Sequence, residues 1–329
     1  MSHEIDSMMY VGEKPWHKLG KELGKIATAA EALAASGLDW TVSKRPVFLE
    51  GGVKIEDHLA VVRDDTNAPL GIVGHMYKPL QNKEAFSFFD AVVGEKAAIY
   101  HTAGSLRGGQ LTWILAKLPG SIRVVKDDLV DKFLLLTNAH NGLRAARMMF
   151  TPIRVVCANT LNMSMSLKNS EMAQARKDGE EVLGNAWIPH FGDIGAKVAE
   201  VRNSMGIISA QYTMFAEAAK RLAATQLTRD AWKKYTENIG IRPRGLKDTE
   251  LAPVTRGLLE KVSFLFEKGK GNDMAGVKGT AWAAYNGVVE YVDYRATKDQ
   301  DARSRSILFG SGAALKQKAW DQALLIAKK

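Results

Sequence analysis

One cysteine, Cys157, stands in a chain of 329 residues, which excludes an intramolecular disulfide and any zinc site built on several thiolates. The seven histidines, His3, His17, His58, His75, His101, His140 and His190, are scattered singly with no HxxxH or HxH pair, so no metal is expected. No uninterrupted apolar run approaches the ~20 residues of a membrane span. The start, MSHEIDSMMYVGEKPWHKLG, has neither an apolar stretch nor the small-residue cleavage site of a secretion signal. These absences predict a cytoplasmic protein without a membrane partner. The GxxxxGK[ST] phosphate loop is missing too, and the glycines of LFGSGAALKQK (308–318) open a helix that follows no strand, so no nucleotide cofactor is expected. Asp64 with Asp65 and Asp127 with Asp128 fall at predicted turns, where Asp bonds its own backbone, so no carboxylate pair is assigned a catalytic role.

What is abundant is positive charge. Lys and Arg number 45 against 36 Asp and Glu, a formal net charge of +9, which suits a polyanionic partner if the charge is gathered on one face. Residues 101–170 carry nine cations, Arg107, Lys117, Arg123, Lys126, Lys132, Arg144, Arg147, Arg154 and Lys168, against three acids, Asp127, Asp128 and Asp131. The basic patch is therefore expected there.

Periodicity sets the architecture. The first twenty residues lack a period and contain Gly12, Pro15 and Gly20, so 1–27 reads as an N-terminal extended arm pinned by Tyr10 and Trp16. In TAAEALAASGLDW, Thr28 with Glu31 forms a capping box and Gly37 a stop, which predicts a short helix. DWTVSKRPVFLE, HLAVVRDD and LGIVGHMY are β-prone runs between turn formers. NKEAFSFFDAVV follows as a helix that Asn82 is positioned to cap. A second meander comes from AAIYHTAGSL, QLTWILAKL, KFLLLTNAH and ARMMFTPIRVVCA, with RGG as a hairpin turn. From about residue 169 the composition turns helical, and the apolar stripe of residues 194–225 predicts the longest helix. The fold class is thus α+β: an antiparallel β-meander sheet covered by helices (28–168), then a mainly helical region (169–329).

Three arginines sit among apolar residues in NGLRAARMMFTPIRVVCANT (141–160). Strand alternation puts Arg147 on one face, with Met149 and Ile153, and Arg154 on the other, with Met148 and Phe150, unless Pro152 shifts the register. Arginines at strand ends beside apolar groups are the combination that single-strand binders use, with cations on phosphates and rings on bases. The expected nucleic-acid contacts are Lys78, Arg107, Arg144, Arg147 and Arg154, with Trp113 or Tyr77 for stacking, and Arg303, Arg305 and Lys316 around the 308–318 helix start. A competing reading is an enzyme acting on nucleic acid or nucleotides at Cys157, His140 and Asn159. A third is a structural or host-takeover protein that works through protein contacts.

The blocks YVGEKPWHKLG, GLDWTV, YKPLQNKEAF, TAGSLRGGQLTWILAKLP, LLLTNAHNG, TPIRVVCANTLN, GTAWAAYNGVVEYVDY and LFGSGAALKQKAW resemble the phage/plasmid-like proteins built on a domain of unknown function. That resemblance implies a mobile-element origin and a bacterial host cytosol, and it brings no catalytic residues. The order of strands and helices is also similar to that of phage single-strand annealing proteins. Likeness of layout implies single-stranded DNA binding and annealing in recombination, by a homo-oligomer.

Overall fold

The computed structural model describes residues 5–11, 20–24, 28–93, 99–154, 156, 159–160, 186–188, 190, 205–296, 306 and 310–328. The fold is α+β, with strands in the N-terminal half and most helices in the C-terminal half. Two compact units interleave in the sequence: 1–119, 133–150 and 164–208 form the first, and 120–132, 151–163 and 209–329 the second.

The first unit opens on a strand, β1 (Ile5–Val11), where the sequence reads as an arm. Its pairing partners explain the difference. The short β2 (Lys21–Leu23) lies parallel on one side and β6 (Ile99–Leu106), about ninety residues on, antiparallel on the other, so no local window contains the pattern. Met8, Met9 and Tyr10 are buried as a result. Helix α1 (Ala29–Ala35) starts as its residues dictate: Thr28 Oγ1 accepts from the Glu31 N–H at 3.2 Å, and Glu31 returns a carboxylate oxygen to the Thr28 N–H at 2.9 Å.

β3 (Val42–Phe48), β4 (Lys54–Arg63) and β5 (Pro69–Gly74) form an antiparallel meander and a sheet of their own. The sequence reading joined both meanders in one sheet. They stay separate because the chain leaves β5 for α2 (Asn82–Val93), and β6 then pairs with β1 instead of β5. β6 continues through the turn Arg107–Gly109 into β7 (Leu111–Val125), which neighbours β8 (Asp128–Ala139). β9 (Ala146–Phe150) pairs with β8 and with β12 (Ala186–Ile188). One core, including Met9, Trp40, Val61, Phe86, Tyr100, Ile114 and Leu136, is shared by both sheets and both helices.

The second unit takes the outer turn of the β7–β8 hairpin, 120–132, together with β10 (Ile153–Arg154), which pairs with β8, and β11 (Asn159–Thr160). Its body is helical: α3 (Met205–Ala224), α4 (Arg229–Ile239), α5 (Pro253–Lys268), α6 (Ala281–Glu290) and α7 (Ser311–Ala327). α6 is the central helix, and every one of its residues is buried, Asn286 and Glu290 included. Around it Phe215 stacks on Trp320 at 5.4 Å, and Trp282 and Tyr285 meet them edge-on. A π-helical turn, Tyr291–Arg295, ends the run. The longest predicted helix is α3; residues 194–204 of that reading lie outside the described residues.

Candidate nucleic-acid interface

Five of the sequence-derived contacts belong to the first unit. Arg107 lies in the β6–β7 turn with φ of 54°, and Arg144 in the loop after β8; both are exposed. The His140 N–H donates to Gln110 O at 2.9 Å, which sets that loop beside the turn. Arg147, on β9 opposite Thr137, is half-buried. Its guanidinium is held below its ordinary pKa by burial first and by the positive charge of Arg144 second. Lys78 is exposed just before α2. Trp113 lies against Gly104 and donates its indole N–H to Thr102 Oγ1 at 3.2 Å, so one of its edges is already committed to the sheet.

Two expected contacts are corrected. Arg154 is fully buried in the second unit. It grips Asp128 through Nε and Nη2 at 2.8 and 2.9 Å and donates further to Asn272 Oδ1 and to the carbonyls of Lys270 and Gly271. No donor remains for a phosphate, and Trp282 Nε1 donates to the same Asp128 Oδ2 at 2.8 Å. Lys316 is likewise fully buried, with its ammonium 2.9 Å from Asp293. Arg303 and Arg305 lie outside the described residues.

Charge bookkeeping by unit moves the basic patch. The second unit (120–132, 151–163 and 209–329) holds 25 Lys and Arg against 16 Asp and Glu, whereas the first holds 20 against 20. Four of the nine cations of 101–170, Arg123, Lys126, Lys132 and Arg154, belong to the second unit, and the first unit balances its cations with carboxylates elsewhere along the chain. Asp65 is bonded to Arg63 at 2.7 Å, Asp64 meets Arg45 at 3.4 Å, and Asp6 accepts the Gly109 N–H at 3.1 Å. Hydrogen bonds from Ser43 and Thr41, with a lesser part from Arg45, hold the Asp64 carboxyl below the ordinary range, and Arg63 does the same for Asp65.

Several cations of the helical unit are exposed. Lys233 and Lys234 lie on α4, and Lys261 and Lys268 on α5. Lys261, Phe264 and Lys268 share one stripe of α5 by their three- and four-residue spacing. Phe264 is 60 % exposed, large for an aromatic ring on a helix that buries Val262 and Leu265. It borders a depression of about 460 Å³ whose other walls are Glu260, Lys261, Leu265 and Arg295, the last residue of the π-helical turn. Single-strand sites take this form, a ring for a base between cations for the phosphates. Sequence reading missed it because Phe264 fits an ordinary amphipathic helix, and Arg295 is thirty-one residues away. A tally of charge over the whole chain would have pointed to this half.

For the enzymatic alternative, Cys157 and the side chain of Asn159 lie outside the described residues. His140 is fully buried with Nε2 3.0 Å from Asn82 Oδ1, and burial, with a lesser part from His190, lowers its pKa to about 3. Among the described residues no helix is long and apolar enough to cross a membrane.

Residues 69–320, spanning parts of both units, match the family described as Domain of unknown function (DUF932), and the chain belongs to that family. No curated protein and no solved structure matches the chain.

Proposed function

We propose that this member of the DUF932 family binds single-stranded DNA through the basic surface of its helical unit, in the strand-annealing role that its likeness of layout to phage single-strand annealing proteins implies. The observation that supports the reading most is Phe264, exposed in a depression between Lys261 and Arg295 on the unit that holds almost all of the excess positive charge. The cations follow the backbone and gain affinity by releasing counterions, while the ring stacks on an unpaired base, which a duplex cannot offer. Self-association along the strand belongs to the same proposal.

Fluorescence anisotropy with a labelled oligonucleotide tests it. Single strands should bind more tightly than the matching duplex, and log K should fall linearly with log salt by about 0.7 for each phosphate contacted. Phe264→Ala should weaken single-strand binding by about 1–3 kcal/mol and duplex binding hardly at all. Absence of binding at low salt, or a salt-independent affinity, would remove the proposal.

A further inference from the structure

The depression beside Phe264 contains one group that a phosphate track does not need. Glu260 stands one turn before Phe264 on α5, at the four-residue spacing that makes helix neighbours, and lines the same space as Lys261, Leu265 and Arg295. A carboxylate within a Debye length of bound phosphates, about 10 Å at 0.1 M salt, repels them, so it weakens a strand site unless it makes a contact of its own. Glu260 is exposed, and among the described residues no ion pair ties it to Lys261, Arg295 or any other cation. Its two oxygens are left to accept from a ligand.

Arg295 reaches the depression from a different element. It ends the π-helical turn Tyr291–Arg295, where the Ala296 N–H donates to Tyr291 O at 2.8 Å. Asp293 within the turn is buried and held by the Lys316 ammonium at 2.9 Å, so the backbone that presents Arg295 is anchored from inside. Single π-helical turns of this kind are frequent at functional sites. The volume of about 460 Å³ falls within the roughly 300–1,000 Å³ of small-molecule sites. One ring face, one acceptor pair and two cations thus border a space that a single base can enter.

We propose that the base seated on Phe264 is guanine, and that Glu260 and Arg295 select it. The assignment rests on the single-strand reading above and adds to it the identity of the base. Guanine offers two adjacent donor atoms, N1 and the 2-amino nitrogen, which a carboxylate accepts together, and two adjacent acceptors, O6 and N7, which a guanidinium matches. Adenine and cytosine each set one amino group beside a bare ring nitrogen, and thymine sets one N–H between two carbonyls. None of these three puts two donor atoms in front of a carboxylate. Phe264 supplies stacking, which every base accepts, and Lys261 and Lys268 on the same stripe take the flanking phosphates.

Anisotropy titrations of the full chain with thymidine oligonucleotides of one length, either plain or carrying isolated guanines or inosines at fixed positions, test the assignment. Guanine strands should bind more tightly than plain thymidine strands by about ten- to a hundredfold. Inosine keeps O6, N7 and N1–H and lacks only the 2-amino group, so its strands should fall between the two. Glu260→Gln alters an exposed helix position. It should cut the guanine-to-thymidine ratio about tenfold while plain thymidine binding rises slightly, because a repulsive charge is gone. A carboxylate that is only a solvated helix residue would instead, on removal, raise the affinity of every strand by one common factor, and that result overturns the proposal. Inosine strands binding as tightly as guanine strands overturn it too. Equal affinity for guanine and thymidine strands removes this assignment alone, whereas no binding of any strand at low salt removes it together with the single-strand reading.

Discussion

Arg154 shows what a guanidinium does in the middle of an apolar strand: it closes a buried charge pair. Asp128, read from the sequence as a turn residue, is its mate, fully buried and also held by Trp282. Local pattern makes the arginine conspicuous, but the pairing of β10 with β8 across twenty-six residues is what selects the partner. Removing one member of such a pair strands the other in low dielectric, so Arg154→Met should cost about 3–5 kcal/mol in urea unfolding. The double variant Arg154→Met with Asp128→Leu should recover most of that loss, because an apolar replacement of both charges carries no desolvation cost. His140 supplies the pH dependence at this scale. Its pKa is about 3 in the folded chain against about 6.5 when unfolded, so between those values the unfolded state binds the extra proton and stability falls as pH is lowered. The urea midpoint should fall further between pH 6.5 and pH 4 for the native chain than for His140→Gln, by up to about 1.4 kcal/mol per pH unit.

At the scale of elements, legibility follows the range of the interaction. The α1 start was readable because Thr28 and Glu31 satisfy each other within one turn. The α2 start was readable in position but not in chemistry: Asn82, expected to cap, spends its amide on Trp40 and His140, while Glu84 takes the Gln81 N–H at 2.9 Å. β1 was hidden because the strand that completes it lies far along the chain. Gly287 belongs to the same class. Glycine weakens a helix interior, yet it sits in the middle of α6, where an added Cβ would lie 2.8 Å from Phe266 N on α5. The residue is there for close helix approach. Gly287→Ala should therefore destabilise by about 1–3 kcal/mol through forced separation, although alanine is the better helix former. A thermal melt of the variant checks the sign, and a gain in stability would show that α5 and α6 have room to spare.

For the whole molecule, the lesson concerns where charge was counted. The cationic window of 101–170 was real, but the fold divides it between the two units, and the first unit comes out with 20 cations and 20 anions. Residues 209–329 carry nearly all of the surplus on the helical unit. The two possible locations predict different salt behaviour. Replacing Lys233, Lys234, Lys261 and Lys268 by Gln removes exposed cations of the helical unit without touching a buried side chain. If each contacts one phosphate, the salt slope of single-strand binding should drop by about 0.7 per lysine. Arg107→Gln with Arg144→Gln should leave the slope unchanged, because the first unit is close to neutral. The opposite result would return the DNA contact to the sheet, where the excess of basic residues in 101–170 first suggested it, and would make the net charge of the helices incidental.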